Sequence, residues 1–176
     1  MSYKHLSGMM FDVETLGRRA GCVILSIGAV RFDIDTRTIS DEFYVTIDAA
    51  DSKAHGLHTD PETLEWWKGQ RPEALKEAIK NALPAKDAYN KFYEYAQRFK
   101  GQKVWAWGPQ FDVINVEAAM LQVLNQPAPW KYWDVMDART LQSLLNVEIK
   151  RDANKHHNAL EDAREQAQYV IECLNP

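Results

Sequence analysis

Four carboxylates and one histidine stand out in this chain, because their types and spacing suit a two-metal phosphodiester cleavage site. Asp12 and Glu14 lie in M-M-F-D-V-E-T-L, Asp112 in W-G-P-Q-F-D, and His157 with Asp162 in H-N-A-L-E-D-A. Acids driven together repel one another strongly at low dielectric. Such a cluster is tolerable when cations neutralise it or protons are taken up. Oxygen-rich carboxylate sites suit Mg2+ or Mn2+. Two such ions, about 3.5–4 Å apart, activate a water and stabilise the leaving oxygen of a phosphoryl transfer. Asp12 is the candidate to bridge both ions, with Glu14, Asp112 and Asp162 completing the cage. His157, a residue type that titrates near neutral pH, is the candidate to accept the proton of the attacking water.

Each motif alone has a plainer explanation. Asp12 and Glu14 leave the same face of a strand while Val13 points the other way, but D-x-E by itself also fits a solvated strand end. Asp112 alone fits a helix N-cap. In the last motif, Asn158 can cap a helix, with Glu161 completing something like a capping box. Asp162 then sits one turn in. Five residues along a continuous helix would set His157 and Asp162 about 140° apart, and a histidine in the preceding loop escapes that restriction. His156 could serve in its place; spacing favours His157. It is the combination that points to one site.

The elements that must position these groups follow from periodicity. Residues 6–13 read as a strand running into a turn at Thr15-Leu16-Gly17, residues 22–32 as a second strand, and I-S-D-E-F-Y-V-T-I as a third, together an antiparallel meander. From residue 60 the pattern turns helical. Asp60 is a plausible N-cap ahead of Pro61, and Pro72 can start the next helix. Residues 85–100 carry one apolar face. A short strand K-V-W-A-W precedes a helix over 112–124, a strand W-K-Y-W-D-V-M precedes the short helix D-A-R-T-L-Q-S-L-L, and a last helix spans 158–174. Meander first, then alternating helix and strand, predicts an α/β sandwich of ribonuclease-H type: a mixed sheet of three antiparallel and two parallel strands flanked by helices.

At 176 residues the chain is expected to form a single domain over 1–176. Its 45% hydrophobic and 26% charged content is that of an ordinary globular protein. No stretch approaches the roughly 20 apolar residues of a membrane span, and M-S-Y-K-H lacks an apolar signal segment, so a cytoplasmic location is the default expectation. Cys22 and Cys173 belong to no C-x-x-C pair and read as reduced, buried thiols. A net charge of −4 argues against a protein that coats nucleic acid, and leaves room for an enzyme gripping a few nucleotides. Six tryptophans are many for this length. Trp66 and Trp67 point about 100° apart on a helix, so one can pack in the core while the other faces the cleft as a base-stacking surface. Trp105 and Trp107 read as structural.

The order D-x-E, then F-D, then H-x-x-x-x-D resembles the DEDDh exonucleases, the DnaQ-like 3′–5′ exonucleases of ribonuclease-H-like fold, along essentially the whole chain. The resemblance implies Asp12, Glu14, Asp112 and Asp162 as metal ligands, His157 as general base, and release of nucleoside 5′-monophosphates from a 3′ end. It places Thr15 and Leu16 at the substrate, Leu16 as an apolar wedge against the terminal base. It also makes Arg139, in D-A-R-T-L, a better phosphate contact than Arg18 or Arg19. Two departures stand out. The usual second threonine of the first motif is absent, Leu16-Gly17-Arg18-Arg19 following Thr15, and W-G-P-Q stands where many relatives carry an asparagine upstream of F-D. These features look more like the branch of phage exonuclease A, exonuclease VIII-like proteins and small stand-alone exoribonucleases. The expectation is a Mg2+- or Mn2+-dependent 3′–5′ exonuclease on single-stranded ends, DNA ahead of RNA. An exoribonuclease or oligoribonuclease is the first alternative, a proofreading-type or binding subunit the second, and a homodimer is compatible with the resemblance.

Overall fold

A computed structural model describes residues 2–70, 72–145 and 157–174. Three strands come first: β1 (Gly8–Thr15), β2 (Ile24–Asp33) and β3 (Thr38–Thr46). Four helices follow, α1 (Ala49–Ala54), α2 (Pro61–Lys68), α3 (Pro72–Ile79) and α4 (Ala85–Gln97). The remainder alternates: β4 (Lys103–Ala106), α5 (Asp112–Leu124), β5 (Val135–Asp137), α6 (Ala138–Leu145) and α7 (Ala159–Leu174). The sheet order is β3-β2-β1-β4-β5, with β1 antiparallel to β2, β2 antiparallel to β3, and the pairs β1/β4 and β4/β5 parallel. This is the mixed sheet that the pattern predicts.

β1 is central and covered on both faces, as its run of apolar residues requires. Met9, Phe11 and Val13 join the cluster with Tyr89 and Phe92 of α4 and Val116 and Met120 of α5. Met10 joins the opposite cluster, with Ala163, Ala167, Val170 and Ile171 of α7. Strand alternation therefore hands Asp12 and Glu14 to the α7 face. Between Glu14 and Thr15 the register with β2 shifts, and such a bulge turns the strand end and re-aims its side chains.

Gly28 of β2 pairs with Asp12. A Cβ there would stand 2.1 Å from the Leu160 nitrogen and 2.2 Å from the Ala159 carbonyl carbon. The absent side chain lets the first turn of α7 rest on the strand backbone beside Asp12. Asn158 starts that turn, its Oδ1 accepting from the N–H groups of Leu160 (3.1 Å) and Glu161 (3.2 Å). Glu161 pairs with Arg164, not with the capping residue as a full capping box would have it.

Other expectations shift locally. The strand expected over W-K-Y-W-D-V-M is confined to Val135–Asp137, because Tyr132–Asp134 forms a single 3-10 turn with Asp134 buried and taking the Lys103 ammonium at 3.2 Å. Asp60 precedes α2 but makes no side-chain cap bond; its carboxylate instead accepts from the Arg18 N–H at 2.9 Å and meets the Arg19 guanidinium at 3.3 Å. The short α1 was not expected. It is capped by Asp48, which accepts from the Asp51 N–H at 2.8 Å. His156 lies outside the described residues. Among those described, no helix is long and apolar enough to cross a membrane.

Candidate active site

β1 supplies Asp12 and Glu14, and the first turn of α7 supplies Asp162. One carboxylate oxygen from each of the three lies within 4.8 Å of the others. Asp112, the first residue of α5, lines the same cleft of about 420 Å3 together with Asp12, Glu14, His157 and Asp162. It stands outside the tight trio. Glu14 and Asp112 are buried, so little water reaches them.

The electrostatics follow from that crowding. Burial, and then the repulsion of Asp112, Glu14 and Asp162, raise the Asp12 carboxyl well above the usual range, while the Gln166 amide pulls the other way. Glu14 is pushed up to about 8 by burial, then by Asp162 and Asp112. Asp112 is pushed up to about 7 by burial, with backbone N–H groups and the Arg139 charge drawing it back. Without cations Glu14 holds its proton at neutral pH and Asp112 titrates there. An all-oxygen donor set of this kind is what a hard divalent cation takes. The residues therefore fit such an ion: Asp12, Glu14 and Asp162 could share it, with Asp112 beside them.

His157 precedes α7 with a left-handed backbone, φ 71°, a conformation in which histidine is enriched among non-glycine residues. Its N–H donates to the Asp162 carboxylate at 3.1 Å. That bond holds the loop residue against the carboxylate trio, and His157 lines the same cleft. Its ring stands perpendicular to that of Trp66, centroids 4.8 Å apart.

A second cavity of about 490 Å3 shares Val13, Glu14 and Phe111 with the first and is lined further by Thr15, Arg18, Thr63 and Trp66. Of the paired tryptophans, Trp66 faces this cavity and Trp67 is buried, its indole N–H donating to the Thr15 carbonyl at 2.8 Å. The Thr15 hydroxyl donates to the Gly17 carbonyl at 2.7 Å. Leu16 packs half-buried against the core from the turn. Arg139 is exposed at the mouth of the carboxylate cleft. Arg18 and Arg19 pair with Glu62 and Asp60. Trp105 is buried in the core, its indole donating to the Leu6 carbonyl, whereas Trp107 reaches the cleft wall.

Gln166 is the participant that the motifs did not reveal. Its Nε2 donates to Asp12 Oδ1 at 2.8 Å, and its Oε1 is buried with no hydrogen-bond partner among the described residues. The available signal was its place four residues after Asp162, on the same helical face.

Comparison with known proteins bears on the fold and the family. An exodeoxyribonuclease of Enterobacteria phage T4 is 29% identical over 169 residues, covering 78% of this chain and 72% of the relative. The zinc-bound E. coli exonuclease I complex with single-stranded DNA superposes with a TM-score of 0.70 at 11% identity, over 94% of this chain and 40% of that one. The Mg2+- and Mn2+-bound form of S. pombe Pop2p superposes at 0.55 with 12% identity, over 93% of this chain and 81% of that one. The chain thus spans about two-fifths of the exonuclease I length, and at such identities the likeness is one of fold, the ribonuclease-H-like fold of exonucleases. The phage relative carries the likeness into sequence, and the model of the 3′-5′ exoribonuclease Rv2179c-like domain matches residues 7–174. On that match along nearly its whole length, the chain belongs to the family of 3′-5′ exoribonuclease Rv2179c-like domains.

Proposed function

We propose that this chain hydrolyses the terminal phosphodiester at the 3′ end of single-stranded nucleic acid, releasing nucleoside 5′-monophosphates one at a time. The convergence of Asp12, Glu14 and Asp162 to within 4.8 Å carries the proposal. With Asp112, these residues would hold two divalent cations, Mg2+ or Mn2+. When bound, such ions neutralise the carboxylates, acidify water and offset the charge developing on the leaving oxygen.

The chain's own groups do the rest. His157 accepts the proton of the attacking water at its imidazole. The exposed guanidinium of Arg139, at the cleft mouth, offers a phosphate contact. The cavity beside Glu14 receives the terminal nucleoside, with the Trp66 ring as one wall and Thr15 and Leu16 at its turn. The phage relative is named for DNA and the family for RNA, so what the two names share is removal of nucleotides from a nucleic-acid end.

The test uses 5′-labelled single- and double-stranded DNA and RNA oligomers with Mg2+, Mn2+ or EDTA. Stepwise shortening from the 3′ end, stopped by chelator and lost in Asp12→Ala, is the expected result. Internal cleavage, or undiminished activity of Asp12→Ala, would remove the mechanism. Comparing the two sugars side by side sets their order.

A further inference from the structure

α2 touches both halves of the site through two adjacent indoles. Trp67 fastens the helix to the end of β1 by donating to the Thr15 carbonyl at 2.8 Å. Trp66 stands edge-on to Trp67, centroids 5.1 Å apart, and edge-on to His157 at 4.8 Å with an interplanar angle of 88°. Trp67 meets the same imidazole at 6.2 Å. These separations lie within the range that aromatic pairs prefer, about 4.5–7 Å. His157 is therefore held from two directions: its backbone by the Asp162 carboxylate, its ring by α2. Trp66 is also 44% exposed and lines the cavity beside Glu14. One indole is thus common to the nucleoside cavity and to the imidazole.

We propose that Trp66 is a positioning residue, which sets the orientation of the His157 ring and couples it to occupation of the adjoining cavity. A histidine in a loop can turn its ring about its side-chain torsions. A perpendicular indole removes part of that freedom. A nucleoside in the cavity presses on the other side of the indole and restricts it further, so the base is best aligned when a strand end is in place. The coupling to catalysis rests on the exonuclease reading; the ring contact does not.

The test compares Trp66→Ala and Trp66→Phe with the full wild-type chain in three measurements. These are kcat and KM on labelled oligomers, Mn2+ affinity by calorimetry, and His157 ring resonances by NMR with and without adenosine 5′-monophosphate, assigned with His157→Gln. Trp66→Ala should lower kcat about 10- to 100-fold, the scale of a reacting group displaced by about 1 Å, with Mn2+ affinity unchanged. Trp66→Phe should recover most of that loss. Adenosine 5′-monophosphate should shift the His157 resonances in the wild type and leave them unmoved in Trp66→Ala. An unaltered kcat in Trp66→Ala, an unchanged His157 response, or a parallel loss of Mn2+ affinity would each overturn the proposal. A wild type that releases no nucleotide yet keeps the His157 response would overturn the exonuclease reading and leave the positioning role standing.

Discussion

An acid whose pKa is higher folded than unfolded holds a proton that unfolding releases. Glu14, raised from an ordinary 4.5 to about 8, and Asp112, raised from 3.8 to about 7, are such acids, and Asp12 shifts in the same direction. Between these limits the folded chain binds more protons, so stability falls as pH rises. In EDTA, Tm should therefore decline between about pH 5 and about pH 8. Asp12→Asn should flatten the decline and melt higher than the wild type at the alkaline end, because one repelling charge is gone. Scanning calorimetry across that range checks this, and a wild-type Tm indifferent to pH in EDTA would contradict it. Excess Mn2+ should invert the slope, since it binds the deprotonated carboxylates. At about 100 times its dissociation constant it adds about 2.7 kcal/mol. Asp12, Glu14, Asp112, His157 and Asp162 were legible in the sequence because carboxylates and imidazoles in ordered motifs have few uses. Gln166 was not, since a single glutamine on a helix carries no signature until its neighbour on β1 is known.

The docking of α7 is the element-scale event on which the site turns. β2 accommodates it with Gly28, where any side chain would collide with the backbone of Ala159 and Leu160. Gly28→Ala should therefore cost about 1–3 kcal/mol, the usual penalty for overpacking. It should also lower activity more than that loss of stability explains, because Asp162 and His157 ride on the displaced turn. Chemical denaturation alongside nucleotide release measures both, and a fully active, equally stable Gly28→Ala would show that the close approach is not needed. The longer helices and the meander announce themselves through period, and α7 also through its Asn158 cap, whereas the N-cap position of α5 is Phe111 and carries no side-chain cap bond. The six-residue α1 has too few apolar positions to show a period. β5 was overdrawn because Tyr132 and Trp133, strand-like in type, belong instead to an exposed 3-10 turn. What sequence pattern cannot supply is which small residue another backbone will rest upon.

At the scale of the molecule, β1 sits at the middle of the sheet and borrows its chemistry from the last described helix. The mixed order β3-β2-β1-β4-β5 was readable from meander followed by alternation, whereas the packing of α2 across the β1 end and onto His157 was not. Adjacent tryptophans announce burial and a surface without naming the partner. Asp12 and Gln166, hydrogen-bonded in the folded chain, are separated by 154 positions. A ribosome translating this message therefore exposes the first acids long before the last ones exist. Ribosome-bound chains stalled ahead of α7 should release no labelled nucleotide from added DNA or RNA oligomers, and chains with α7 clear of the ribosome should do so. Equal release from both would break the link. The order of synthesis thus keeps the site unassembled until α7 closes over the first strand.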